Sequence, residues 1–177
     1  MKLIVGLGNP GDQYKLNRHN VGFLFVDHLL EELDKKETSV FKHDSYLEGE
    51  MVMINDLIIL KPQTFMNLSG KSVKAAVKRY SLSPADILVA HDDLDIPLGK
   101  CKIQIGVGPK LHNGLDSIDD VLHTPEYARI RIGVDNRQEL RISGEAYVLQ
   151  NFTHEEQLLL PPVFQETLRR LKSEKIL

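Results

Sequence analysis

The sequence predicts an α/β fold: a single-domain mixed β-sheet with helices packed on both faces. Three observations carry this expectation. Short apolar runs, partly β-branched, alternate along the chain with stretches of helical periodicity, which is the pattern of strands separated by covering helices. The segment YLEGEMVMINDLIILKP reads as two strands joined at Asn55-Asp56, a hairpin turn that puts an antiparallel pair into the sheet. The 177 residues, 42% of them hydrophobic, are enough for one domain over residues 1–177 with a buried core. No repeat, low-complexity stretch or linker divides them.

The elements follow in order. Leu3 to Leu7 is a short apolar strand bounded by glycine. From Asn20 to Lys35, Val21, Phe23, Leu24, Val26, Leu29, Leu30 and Leu33 recur at helical spacing. After the hairpin, Ser69 to Tyr80 forms a second amphipathic helix, stopped before Ser83-Pro84. DILVAHDDLD reads as a buried strand running into an acidic loop, and KCKIQIGV as a half-solvated strand. Leu115 to Leu122 is a short helix, and YARIRIGV, Tyr127 to Val134, another alternating strand. A last helix of about five turns starts at Thr153, capped as T-H-E-E and interrupted near Pro161-Pro162.

Composition narrows the function classes. A single cysteine, Cys101, excludes an internal disulfide framework and fits a reducing cytoplasm. No apolar run approaches the roughly 18–20 residues that span a bilayer. The expectation is a cytoplasmic protein with no membrane partner. A formal net charge of −3 gives no general argument for nucleic acid, so a polyanion would have to meet a local basic patch.

The loop Gly6-Leu7-Gly8-Asn9-Pro10-Gly11 has the G-x-G-x-x-G spacing of a dinucleotide-binding turn. That turn needs a helix beginning inside the motif, with its N–H groups facing a pyrophosphate. Here the next residues, DQYKLNRHN, are polar and aperiodic, and the helix begins about nine residues too late. Glu31 and Glu32 fall where an acidic residue should end a second strand, but within a helix. A tight turn that presents Asn9 at the carboxyl end of the first strand, where open α/β sheets bind ligands, is the alternative.

Further polar segments follow or precede apolar elements: Asn17-Arg18-His19-Asn20, Gln63 to Gly70, His91 to Asp95 and His112-Asn113-Gly114. Asn20 and Asn67 could serve as plain helix N-caps. Asp92, Asp93 and Asp95 could form a solvated turn or bind a metal, yet His91 and Asp92 point to opposite sides of a strand, and no metal-site spacing occurs. No metal and no cofactor is expected. What remains is a histidine, a carboxylate to orient it, and neutral amides to hold a carbonyl and a water. Neither Cys101, Ser69 nor Ser72 lies in a nucleophile elbow, so direct base-assisted attack of water on an ester suits the set.

Taken together and in order, VGLGNPG at 5–11, Tyr14, RHNVG at 18–22, PQTFMNLSGKSV at 62–73, ILVAHDDLDIPLG at 87–99, HNGL at 112–115, RIRIGV at 129–134 and YVLQNF at 147–152 resemble bacterial peptidyl-tRNA hydrolase. The resemblance covers most of the chain. It implies a monomeric cytoplasmic esterase that frees a peptide from peptidyl-tRNA by cleaving its ester to the terminal ribose. By position it implies that His19 is the general base and that Asp92 holds its imidazole. It also implies that Asn9, Asn67 and Asn113 position the peptide and the ester carbonyl, the first helping to tell peptidyl-tRNA from free aminoacyl-tRNA. Tyr14, Phe65 and Met66 would line the cleft near the scissile bond.

For the tRNA acceptor arm, Lys102 and Arg131 are the expected phosphate contacts. Lys71, Lys74 and Lys78 share one helix face, which could equally be a solvated stripe. Arg18 reads as structural. Two departures from the family pattern stand out. The glycine-rich stretch before HNG is replaced by Pro109-Lys110-Leu111, a stiffer loop. Gln104 occupies a strand position where relatives often carry a basic residue.

Overall fold

The computed structural model describes residues 1–35, 38–138, 141–174 and 176–177. Its centre is a seven-stranded sheet built from β1 (Lys2–Gly6), β2 (Lys42–Asp44), β3 (Gly49–Ile54), β4 (Leu57–Pro62), β5 (Ile87–Pro97), β6 (Cys101–Ile105) and β7 (Ala128–Asp135), in the order β2-β3-β4-β1-β5-β7-β6. The four inner strands β4, β1, β5 and β7 are parallel, and the flanking pairs β2–β3, β3–β4 and β6–β7 are antiparallel. The sheet is therefore mixed, and the hairpin turns at Asn55 with φ of 52°.

Parallel strands need covered faces. On one face α1 (Val21–Leu33) and α6 (Leu160–Ser173) bring Phe25, Leu29, Phe164 and Leu168 onto Ile4, Leu88, Ile130 and Ile132. On the other, α2 (Ser69–Tyr80) and α3 (Asn113–Leu122) bring Val73, Ala76, Leu115 and Ile118 onto Leu3, Val5, Ile58 and Val89. Period-2 strands thus feed two separate cores.

Three expectations need correction. The acidic segment after the third apolar run is not a loop: His91 to Asp95 continues β5, paired with β7 as far as Asp93. YARIRIGV is buried almost throughout, because β7 lies between β5 and β6 and its two arginines find carboxylates inside the protein. The tail is not one interrupted helix. α4 (Gly144–Val148) and α5 (His154–Gln157, capped by Thr153 and Glu156) precede α6, and the prolines occupy the first turn of α6, where a missing N–H costs nothing. The short strand β2 and α4 carry too little periodicity to be read from sequence.

The glycine loop packs elements rather than cradling phosphate. A Cβ on Gly22 would lie 2.3 Å from the Ala90 carbonyl oxygen and 2.4 Å from the Leu7 nitrogen. A Cβ on Gly6 would meet the Gly22 carbonyl oxygen at 2.4 Å. These absences let α1 start directly against the ends of β1 and β5, with Phe23 N–H donating to the Leu7 carbonyl. After Gly11, at φ 109°, the chain makes only a short 3₁₀ turn, Asp12–Tyr14. No helix begins in the motif.

Candidate active site

The carboxyl ends of three adjacent parallel strands, β4, β1 and β5, supply the site, as open α/β sheets direct. Beyond β1 lies Asn9, beyond β4 the segment with Phe65, Met66 and Asn67, and within β5 itself Asp92.

His19 sits in the 3₁₀ turn Arg18–Asn20, held from both sides. On one side Arg18 is buried. It reaches Glu156 at 2.5 Å and the carbonyls of Gln150 and Asn151, and lies over the Tyr147 ring at 4.1 Å. Asn136 and the Thr153 N–H hold the same carboxylate. Arg18 is structural, as expected, and ties the histidine's turn to the C-terminal segment. On the other side Asn20 is not a side-chain cap. Its Oδ1 accepts from the Asn9 N–H and its Nδ2 donates to the Asn9 carbonyl, both at 2.9 Å. Asn20 therefore fixes the main chain of one site residue from beside another.

Asn9 is oriented without ambiguity. Its Oδ1 accepts from the Met66 N–H at 2.9 Å, so the amide nitrogen points the other way. That nitrogen has no protein partner among the described residues and is not enclosed. It is a donor waiting for an acceptor.

Asp92 is buried beneath two imidazoles. Its Oδ1 lies 2.8 Å from His19 Nδ1 and 3.0 Å from His112 Nε2. The tautomer of His112 follows from its backbone. It is the N-cap of α3, and its Nδ1 accepts from the N–H groups of Gly114 and Leu115, so the proton is on Nε2 and is donated to Asp92. The ligand atoms of His19, Asp92 and His112 lie within 4.8 Å of one another, close enough for a metal set. However, His112 offers its carboxylate-facing nitrogen as a donor, not as a lone pair.

With Nδ1 of His19 given to Asp92, its Nε2 is the nitrogen open to the cleft, free of any protein partner among the described residues. Burial lowers the tendency of His19 to take a proton, and the Asp92 carboxylate outweighs it, so the pKa is raised above 6.5. Burial works to raise the pKa of Asp92, but the two histidines more than reverse this and hold it well below the usual carboxylate range. His91 completes the cluster. It is fully buried, its Nδ1 donates to the Asp92 carbonyl at 2.8 Å, and its ring meets His112 edge-on at 5.1 Å. Burial and the neighbouring His112 push its pKa down to about 3.

The remaining predicted residues divide. Asn67, in the 3₁₀ turn before α2, and Asn113, the first residue of α3, are exposed and line one groove. Phe65 is 55% exposed at the rim, and Tyr14 is half-buried in its turn. Met66 is not a cleft wall by its side chain. That side chain belongs to the core, its sulfur against Gly114, where a Cβ would lie 2.6 Å away. What Met66 gives the site is its N–H. Lys102 is exposed on the edge strand β6. Arg131 is buried, with Nε on Asp93 at 2.8 Å and Nη1 on Gln104 at 2.6 Å, so its guanidinium is engaged inside the protein and not presented to a phosphate.

Sequence reasoning passed over Asn20, His91 and His112 as working residues. His112 had one available signal, its place just before a helix. Histidine is outside the usual N-cap set, which hid it.

Residues 3–174 match the family model described as peptidyl-tRNA hydrolase. A peptidyl-tRNA hydrolase of Mycoplasmopsis synoviae is 45% identical over 170 residues, covering 94% of this chain and 85% of the relative. One from Geobacter metallireducens is 47% identical over 162 residues, covering 90% and 81%. Among solved structures, peptidyl-tRNA hydrolase from Acinetobacter baumannii superposes with a TM-score of 0.83 at 36% identity, covering 97% of this chain and 87% of that one. The fold, the matched span and these identities agree: the chain belongs to the peptidyl-tRNA hydrolase family.

Proposed function

We propose that this protein hydrolyses the ester between a peptide and the terminal ribose of tRNA, releasing both, by water attack assisted by His19. The observation that carries the reading is the open Nε2 of His19, whose other nitrogen is fixed on a buried carboxylate. His19 Nε2 takes a proton from water as the water oxygen attacks the ester carbonyl. The imidazolium that forms is stabilised by Asp92 at 2.8 Å. The carbonyl oxygen gains negative charge, and the free amide of Asn9 is oriented to donate to it. Collapse of the tetrahedral intermediate expels the ribose oxygen, which takes the proton back from His19.

Asn67 and Asn113 hold the peptide, with Tyr14 and Phe65 at the edge of the cleft. Lys102 contacts the tRNA backbone, and Arg131 supports the sheet behind it by neutralising Asp93. The protein acts in the cytoplasm as a monomer without a cofactor. No helix among the described residues is long and apolar enough to cross a membrane.

The test is hydrolysis by the purified protein of an N-acetylated aminoacyl-tRNA beside its unblocked counterpart. Release of intact tRNA from the blocked substrate, with the unblocked one spared, is the expected result. Failure to cleave the blocked substrate would contradict the proposal.

A further inference from the structure

A groove of about 340 Å³ runs from Asn67 and Asn113 between α2 and α3. The two helices touch closely at Gly70, whose N–H donates to Ser117 Oγ and where a Cβ would meet the Ser117 carbonyl oxygen at 2.1 Å. That contact sets the floor. One wall is the α3 face carrying Asn113, Asp116, Ser117 and Asp120, spaced i, i+3, i+4 and i+7. The other carries Asn67 and Lys71.

We propose that this groove takes the peptide part of the substrate and that Asp116 and Asp120 make it favour cationic side chains. The inference rests on the ester-hydrolase reading and extends it to specificity. Asp116 and Asp120 are exposed and form no ion pair among the described residues, and neither does Lys71 opposite them. Two carboxylates thus face one ammonium. Of the two arms joined at the scissile ester, the tRNA is a polyanion that this wall repels, whereas a peptide can enter. From Asn113 to Asp120 the helix advances about 10 Å, the reach of about three residues of extended chain. Asp116 therefore lies beside the first or second peptide residue from the ester and Asp120 beside the third.

Exposed ion pairs of this kind change affinity by about 1.5- to 5-fold each, and salt screens them. The experiment uses three peptidyl-tRNAs with blocked peptides that differ only at the third residue from the ester: lysine, glutamine or glutamate. kcat/KM is expected to fall in that order. The lysine-to-glutamate ratio should drop towards one in the Asp116→Asn, Asp120→Asn double variant and at high salt. Removing two negative charges would also ease tRNA approach, but equally for all three substrates, so the ratio is the readout. Equal rates on all three substrates in the unaltered protein, or a ratio unchanged in the double variant, would overturn the specificity while leaving the hydrolase reading intact. If all three substrates remained uncleaved, the function itself would fall, and the specificity with it.

Discussion

Replacing Asp92 by Asn removes a charge from the centre of the site while keeping an oxygen that can accept from both His19 and His112. Two effects follow from the geometry. At 2.8 Å the carboxylate makes a charge-assisted hydrogen bond to His19, worth about 1.5–3 kcal/mol against about 0.5–1.5 for a neutral one. The charged form matters most when His19 carries its second proton, in the transition state. The difference, about 1–2.5 kcal/mol, predicts a fall in kcat of about 5- to 70-fold. The second effect is on pH dependence. His19 is held above 6.5 by Asp92 against the opposing pull of burial; removing the charge leaves only the neutral hydrogen bond to oppose burial, so the pKa falls. The acid limb of kcat/KM, which reports the free enzyme's base, should therefore lie above 6.5 in the unaltered protein and move to lower pH in the variant. Single-turnover hydrolysis of a blocked aminoacyl-tRNA from about pH 5 to 9 measures both. A variant with a normal rate and an unmoved acid limb would refute the pairing of His19 with Asp92.

Four further outcomes follow. Gly22→Ala should destabilise the protein by at least ~1–3 kcal/mol in urea unfolding, because the new Cβ meets two backbone atoms within 2.4 Å; unchanged stability would contradict the packing described at β1 and β5. Lys102→Glu should weaken peptidyl-tRNA turnover and flatten its salt dependence while sparing short esters. Arg131→Met should instead cost about 3–5 kcal/mol of stability by leaving Asp93 buried and unpaired, and a stable variant defective only on tRNA would reverse these two roles. His91 stays neutral when folded down to about 3 but takes a proton below 6.5 when unfolded, so its contribution to stability is complete above 6.5 and is lost as pH falls towards 3. Its slope is up to ~1.4 kcal/mol per pH unit. His19 works in the opposite direction: its contribution is present below 6.5 and lost as pH rises through its raised pKa. NMR titration separates the two imidazoles, and a His91 that protonates near 6.5 would contradict its burial.

The parts of this molecule legible in its sequence are those that local rules decide. Periodicity located α1 and α2 almost to the residue, and Asn55-Asp56 marked the tight turn of the β3–β4 hairpin. The late helix start after Gly11 argued against a dinucleotide site, and the structure places only short 3₁₀ turns between Gly11 and α1. What sequence could not give depends on neighbours distant in the chain. Arg131 looks like a solvent-facing charge in an alternating strand until β5 brings Asp93 beside it. Met66 looks like a wall residue until Gly114 makes room for its sulfur in the core. Asn20 looks like a cap because asparagine before a helix usually is one, yet its partner is 11 residues back. His19 and Asp92 were reached through a resemblance, since 73 residues separate them.

The central claim is that His19 is the base, and His19→Ala tests it most directly. Nε2 of His19 is the cleft-facing nitrogen set by Asp92, so its removal should slow single-turnover hydrolysis of peptidyl-tRNA by about 10²–10⁴-fold in a protein that still folds. A folded His19→Ala protein that cleaves peptidyl-tRNA at close to the unaltered rate would contradict the mechanism.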